Sequence, residues 1–541
     1  MIAEGVEHDI AGAEPDGVKG PRAAPGVGLR TLGLEDRPGR GEQPRKGARV
    51  CLDEAAERRS RLVQGRELRF AQHRQARQRG PAGDFGRVDA GEPLGIGGRF
   101  HGLAHHIRQP SEQIGLPGGV IARFQGVIML GHGRLRPIAV RRWRGIRWLS
   151  AVPGAVSGKA MGDPSAAAHA GDIVGQLKSF IIERSLPLWS GEGWDAASGG
   201  FVDRLDKEGR ADRLAPRRTF VQARQIYCYA KAAQMGWYPE GKAIALKGLE
   251  HFLAKAKAPD GKPGFVHKLA ADGAVVDARR DTYDHAFVLL ALATVYSLDR
   301  DAQVRAEIDE TLSFVDTKLR SPHGGFAEGL PATLPRRQNP QMHLFEAMIA
   351  LFDATHDLAF QQRAGEFFGL FMASLYDKPR QALGEYFEED WSRIEPVVVE
   401  PGHQAEWAWL LKGFERITGC PTGRPRGELL ATAQRYQDPA TGCLIDAGGV
   451  AGNITHDTRR LWPQTEIAKA WIAQAESGEE GAADKARAAL SRLERHYLRH
   501  PVAGGWYDQF DRNGVSLVET IPASSFYHVL CAVTEAEQVI G

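Results

Sequence analysis

His343 and Glu346 stand three residues apart in NPQMHLFE, a spacing that puts both side chains on one face of a helix. An imidazole ordinarily titrates near neutrality, which suits a general base, and a carboxylate one turn away can orient the ring or share its ligand. His528 in SSFYHVL and Arg224 in FVQARQIY complete a set suited to moving a proton next to a carbonyl. Such a carbon acid is weak. The base must therefore lie within hydrogen-bond reach, and the developing oxyanion needs a fixed cation or donor, which Arg224 and helix N-termini can supply. HxxE can also bind a metal, and the spacing recurs at His403 and Glu406, but a base oriented by its carboxylate is the commoner use of such a pair, so no metal is expected.

The elements that would position these residues recur six times. A glycine, then an aromatic or apolar residue, then a short polar run appears around Gly200, Gly264, Gly325, Gly384, Gly442 and Gly505, at intervals of 58 to 64 residues. A period near sixty means six copies of one supersecondary unit. Residues 172–186 carry Ile173, Leu177, Phe180 and Ile181 on one helical face, and each period holds two such segments, as at 343–353 with 360–376 and 404–417 with 427–436. This predicts an all-α chain of twelve helices in six hairpins, joined by Gly-turn loops or short β-hairpins. Six pairs is the count at which such an array closes as an (α/α)6 barrel instead of running open.

One helix of each pair opens just after its Gly element, and unusual polar residues collect in those openings. They are Arg218, Gln222 and Arg224; Asp281, Tyr283 and His285; Asn339, His343 and Glu346; His403 and Glu406; Arg459, Trp462, Gln464 and Glu466; and Ser524, Ser525, Tyr527 and His528. Pro216, Pro340, Pro401, Pro463 and Pro522 mark the same starts, where a missing N–H costs little. In a ring, six helix N-termini would share one donor-rich mouth suited to an oxyanion or a polyhydroxylated ligand. Asp281, His285, His403, Glu406, Trp462 and Gln464 are the expected ligand contacts, although His285 and His403 equally suit a structural role. Trp407, Trp409 and Trp462 could stack on a ring, but aromatics on inner helices are more often core. The pairs Arg217–Arg218, Arg336–Arg337 and Arg459–Arg460 could read a phosphate or sulfonate, or form solvated surface.

The 541-residue chain has two unlike parts. Residues 1–160 carry 27 Lys+Arg against 16 Asp+Glu, a net +11, and the remainder carries 42 against 51, a net −9. The first part is rich in Arg and Gly and shows no sustained period, so it reads as a disordered or non-native extension with Met161 as the true start. Its basic tracts lack interleaved aromatics, and no nucleic-acid partner is expected. Its one apolar stretch, GLPGGVIARFQGVIML, is too short and glycine-rich for a membrane span. No signal peptide precedes either start, and five cysteines without CxxC spacing point to a reducing cytoplasm. With no Gly-rich phosphate loop, no nucleotide cofactor is expected.

The runs RTFVQARQIYCYAKA, RRDTYDHAFVLLALA, NPQMHLFEAMIALF, EPGHQAEWAWLLK, RLWPQTEIAKAW and IPASSFYHVLCAV resemble the N-acylglucosamine 2-epimerase family, in its branch of mannose-type aldose–ketose isomerases. The resemblance spans residues from about 170 to 540. It implies an (α/α)6 barrel over 161–541 that opens a sugar, abstracts the C2 proton and passes through a cis-enediol. Proton return to C1 gives a ketose; return to the other face of C2 gives the epimer. On this resemblance His343 and His528 match the family's catalytic histidines, Arg224 its arginine on the first inner helix, and Glu346 the glutamate after the first histidine. Tyr227, a further substrate contact, stands where the family commonly carries Trp, and Asp281 stands where some isomerases present Asn, which leaves the particular sugar open. The expected activity interconverts mannose or mannose 6-phosphate with the corresponding fructose, without cofactor or metal, on a small sugar as partner, and a homodimer is consistent with it. Three alternatives stand beside it. They are a 2-epimerase of N-acylglucosamine or a glucose-type sugar, an inverting glycoside hydrolase using carboxylates among Asp281, Glu346, Glu406 and Asp508, and a non-catalytic sugar- or nucleotide-binding regulator.

Overall fold

The computed structural model describes residues 172–541. The expectations for residues 1–160 and for Met161 lie outside the described residues.

Twelve helical rods alternate along the described chain. Helix α1 runs Ile173–Phe180, passes through a π turn at Ile181–Ser185 and continues over Leu186–Gly191. It is followed by α2 (Thr219–Gln234), α3 (Gly241–Ala256), α4 (Thr282–Asp299) and α5 (Ala302–Phe314). Then come α6 (Gln338–Thr355), α7 (Leu358–Leu370), α8 (Pro401–Thr418), α9 (Gly423–Gln434), α10 (Trp462–Glu476), α11 (Ala482–Leu493) and α12 (Ser524–Val539). The even-numbered helices are buried nearly all round; in α4, for example, His285 through Val295 are all buried. A helix covered on every side must lie inside a second layer. The odd-numbered helices supply that layer, each packing on the inner helix before it, with α1 on α12.

The inner helices contact one another in sequence: α2 with α4, α4 with α6, α6 with α8, α8 with α10, α10 with α12, and α12 with α2. The passage from inner to outer helix is tight. Helix α4 ends on Arg300 in the left-handed region (φ 57°), and Asp301 at once caps α5 by accepting from Gln303 and Val304 N–H. His356 (φ 59°) and Asp357 repeat this between α6 and α7.

The short strands join neighbouring units. The two residues that lead into each inner helix pair antiparallel with the strand of the next Gly element: Arg217–Arg218 with Lys268–Leu269, Arg280–Asp281 with Gly329–Leu330, and Arg336–Arg337 with Tyr386–Phe387. Val398–Val399 pairs with Gly448 and Gly449, and Arg459–Arg460 with Gln509–Phe510. The sixth pairing returns to the first unit, Ile521–Pro522 on Arg204–Leu205. Within its own unit a Gly loop is closed by a single bridge, as at Lys257 to Phe265 and Arg320 to Phe326. The sequence suggests Gly-turn loops or short β-hairpins inside each pair, and such a hairpin pairs Tyr376–Asp377 with Ala382–Leu383, but most of the ladder bonding runs between pairs, because the strand before an inner helix already faces its neighbour's loop.

A glutamine clamp ties four of the Gly elements to their inner helices. Gln222 accepts the N–H of Phe201 and donates to its carbonyl, at 3.0 and 2.7 Å. Gln341 holds Phe326 in the same way, Gln404 holds Leu383 and Gln464 holds Leu444. Such two-point amide pairing satisfies buried backbone groups that no ladder reaches.

Candidate active site

The opening turns of the inner helices α4 to α12 converge on a cavity of about 290 Å³ lined by Tyr283, Asn339, His343, His403, Glu406, Arg460, Trp462 and His528.

Two histidine–glutamate pairs face this space. His343 Nδ1 lies 3.0 Å from Glu346 Oε2, and the other oxygen of Glu346 accepts the Tyr527 hydroxyl. His528 Nδ1 lies 2.9 Å from Glu466 Oε1, whose partner oxygen is 2.6 Å from the Lys469 ammonium. Glu466 and Lys469 are both fully buried. Burial holds His343 down at about 4, outweighing Glu346, and the charge of Arg224 adds to the effect. Burial also lowers His528, opposed by its hydrogen bond to Glu466 and assisted by Arg224. Burial pushes Glu346 and Glu466 upward, but His343 in the first case and Lys469 in the second bring them below the usual carboxylate value. Each pair is therefore carboxylate with neutral imidazole. With Nδ1–H donated to the carboxylate, Nε2 is left as a lone-pair acceptor.

The third histidine is different. His403 Nδ1 lies 2.9 Å from Glu385 and 3.6 Å from Glu400. Burial lowers its pKa, but the two carboxylates overcome this and raise it to about 9, so it is an imidazolium at neutral pH. Burial lifts Glu400 to about 7. The Trp462 indole stands between two histidines, 4.9 Å from the His403 ring and 5.9 Å from that of His528. Gly402 permits this approach, because a Cβ there would overlap the indole.

Glu406 lies between the two pairs. One of its oxygens comes within 4.8 Å of donor atoms of His343 and Glu346, and it is equally near Glu466 and His528. Burial and then the charge of Glu466 raise its pKa well above normal, so it is a neutral carboxylic acid able to donate a hydrogen bond. These donor atoms, like the set Glu385, Glu400 and His403, are close enough to share a cation. Most of them are already engaged by one another, by Tyr527 or by Lys469.

Arg224 is buried beside the cavity. Its Nη2 donates to the Tyr283 hydroxyl at 2.6 Å and its Nη1 to the Ser524 carbonyl at 3.3 Å, and the guanidinium stacks 4.2 Å from the Phe287 ring. Aromatic faces on several sides fix its position without neutralising it.

The structure thus brings His343, His528, Glu346, Arg224, His403, Glu406 and Trp462 together. Four other expected contacts are absent from the cavity wall. His285 accepts the Phe265 N–H at 3.1 Å and meets the Asp281 carbonyl at 2.7 Å, so it takes the clamp position that glutamine fills elsewhere. Gln464 is itself a clamp. Asp281 caps α4 through the Tyr283 N–H at 2.8 Å. Tyr227 sits behind Tyr527, its hydroxyl 3.3 Å from Cys531 Sγ. Trp407 stacks between Phe345 and Phe371 in the core, and Trp409 carries Lys469 at 3.7 Å from its ring. The arginine pairs are pinned by carboxylates, as Arg218 by Asp203 and Arg337 by Glu328 at 2.6 Å each.

Tyr283 and Asn339 line the cavity without having been assigned a role, Arg460 of the third arginine pair joins them there, and Glu466 with Lys469 stands behind it. A signal existed for the last two: in WPQTEIAKAW an acid and a base three apart interrupt an otherwise apolar helix.

A helical scaffold that turns two histidine–glutamate pairs into one small polar cavity is the build of an acid–base catalyst for a small ligand. Residues 199–532 match the family model of N-acylglucosamine 2-epimerase (GlcNAc 2-epimerase), and the chain belongs to that family. A mannose-6-phosphate isomerase of Rhizobium meliloti (strain 1021) is 35% identical over 389 residues, 68% of this chain and 97% of that protein. A D-mannose isomerase of Thermobifida fusca is 30% identical over 221 residues, 38% of this chain and 54% of that protein. The solved cellobiose 2-epimerase from Spirochaeta thermophila DSM 6192 superimposes with a TM-score of 0.62 at 22% identity, covering 70% of this chain and 99% of that one, a likeness of fold. The protein is an enzyme of a family of sugar isomerases and epimerases. No described helix is long and apolar enough to cross a membrane.

Proposed function

We propose that this chain is an aldose–ketose isomerase built on a closed (α/α)6 barrel, interconverting a mannose-type aldose and its ketose by proton transfer between C2 and C1. The observation that carries the reading is the pair of neutral imidazoles, His343 and His528, each tied through Nδ1 to a buried glutamate and each lining the same cavity. The 35% identity to a mannose-6-phosphate isomerase across nearly all of that protein supports the substrate class.

In this mechanism His528 Nε2 removes the C2 proton from the open-chain sugar, and the C1 carbonyl oxygen takes a proton to give the cis-enediol. The O2 hydroxyl then releases its proton as the new carbonyl forms, and His528 delivers the carried proton to C1. His343, oriented by Glu346, exchanges protons with the sugar oxygens. Arg224 and the Glu406 acid, both buried, stabilise the enediolate charge. Incubation with mannose or mannose 6-phosphate in deuterated water tests this: the expected product is the ketose, carrying deuterium at C1 to the extent that the proton held by His528 exchanges with solvent. Absence of ketose, or cleavage of an offered glycoside, would overturn it.

A second reading is favoured by His403. An imidazolium across Trp462 from a neutral His528 is an acid facing a base, the arrangement that returns the proton to the opposite face of C2. The same assay separates the two, since epimerisation labels C2 and yields no ketose.

A further inference from the structure

A second cavity, of about 430 Å³, lies outside the reaction cleft between α3, the Gly199–Gly200 loop and the turn 270–273. It exists because one sister position is left open. Arg217, Arg280, Arg336 and Arg459 all hold the first place of the strand before an inner helix. Arg280 spends its guanidinium on Asp260 and on the carbonyls of Pro263, Lys262 and Ala278. Arg336 donates to the carbonyls of Glu389 and Phe326, and Arg459 pairs with Asp438 and donates to the Asp511 carbonyl. Arg217, 6% exposed, has Asp195 on Nη2 at 2.9 Å, and its buried Nε and Nη1 meet no acceptor.

The other side chains of this cavity extend the same donor character. His251 lies against Gly199, whose positive φ of 78° and missing Cβ make room for the ring. Lys255, exposed at the rim, has no carboxylate within ion-pair distance among the described residues. Burial, then Lys255, then Arg217 lower the His251 pKa, so positive potential reaches the ring. The acids present are Asp195, already held by Arg217 and Ser198, and Asp272, turned to the Ala274 N–H. A buried guanidinium with idle N–H groups, in a cavity also lined by an ammonium with no ion-pair partner among the described residues, offers the kind of donors a phosphoryl group takes.

We propose that this cavity is a phosphoryl-anion site, held by Arg217, His251 and Lys255, separate from the reaction cleft and taking either free phosphate or the phosphate of a small ester. The test is calorimetric titration of the full chain with inorganic phosphate and, separately, with glycerol 3-phosphate, in the presence of saturating mannitol to occupy the sugar cleft. One saturable site is expected. The exposed substitution Lys255→Glu should weaken it at least tenfold, while sugar turnover measured without phosphate stays unchanged. His251→Ala should weaken it in the same direction. Binding of both ligands with equal strength would mark a site for the free ion, and tighter binding of glycerol 3-phosphate a site for esters. Absence of saturable binding, binding that mannitol abolishes, or a Lys255→Glu protein that titrates like the parent would overturn the proposal. Phosphate binding and its loss in Lys255→Glu are read without turnover, so their failure is distinguishable from a failure of the sugar isomerase assignment.

Discussion

The two histidine–glutamate pairs share their geometry and differ in what stands behind them. Glu346 is backed by the Tyr527 phenol, a neutral donor, and Glu466 by the Lys469 ammonium, a full charge sealed from water. A phenol fixes a carboxylate in place. An ammonium also holds it ionised, and its field reaches through to His528. The same dyad is thereby set in two electrostatic environments, the difference on which the proposed division of labour between His343 and His528 rests.

The sharpest way to break this comparison is to remove each imidazole. His528→Asn should lower kcat by roughly a hundredfold to ten-thousandfold and abolish exchange of the C2 proton with solvent, as expected for a positioned base. His343→Asn should lower turnover but retain measurable C2 exchange. If the exchange results were reversed, the roles of the two pairs would be exchanged with them.

Next in size is Lys469→Met, which leaves Glu466 as a buried carboxylate without its countercharge. A loss of roughly 3–5 kcal/mol in unfolding free energy at neutral pH is expected for a broken buried pair. In the protein that still folds, the acid limb of kcat/KM should move to higher pH, because Lys469 normally helps keep His528 unprotonated. Tyr527→Phe removes one hydrogen bond to a charged group and should cost about 1.5–3 kcal/mol without moving that limb. Equal limb shifts in the two variants would erase the distinction between the pairs.

The pH dependence sharpens the contrast with His403. Its folded pKa, about 9, is raised above the unfolded value, so its contribution to stability is complete below the unfolded pKa and fades as pH rises through 9. His343 is depressed to about 4, so its contribution is complete above the unfolded pKa and is lost as pH falls toward 4. Thermal unfolding followed from pH 4 to 10 should therefore weaken at both ends, and His403→Gln should remove the alkaline decline alone. The smallest effect is expected for His285→Gln, which introduces the clamp residue of four other units; turnover should change less than twofold, read against the parent in the same sugar assay.

Much of this organisation is legible in the sequence. The sixty-residue period announces paired helices, and the polar openings of the inner helices announce where the cavity forms, because each unit repeats the same turn. What the sequence hides is which way each polar side chain points. Gln464 and His285 share helix openings with cavity residues yet face their own Gly elements, and Asp281 is consumed as a cap. Conversely, Glu466 and Lys469 lie one behind the other along the helix, and their relation to His528 rests on a contact between α10 and α12 some sixty residues apart. Periodicity reports repeated local structure; it is silent about contacts that differ between copies.

The antiparallel pair of Ile521–Pro522 with Arg204–Leu205 joins the last inner helix to the first Gly element. An open helical array can gain or lose a unit at its end, since only one neighbour is affected. Here every unit has two neighbours, so an inserted or deleted copy would have to change the angle at all six junctions together. The number of units is then fixed by geometry, and a change in one copy is absorbed most easily in its loops and helix openings, which enter no other unit's junction.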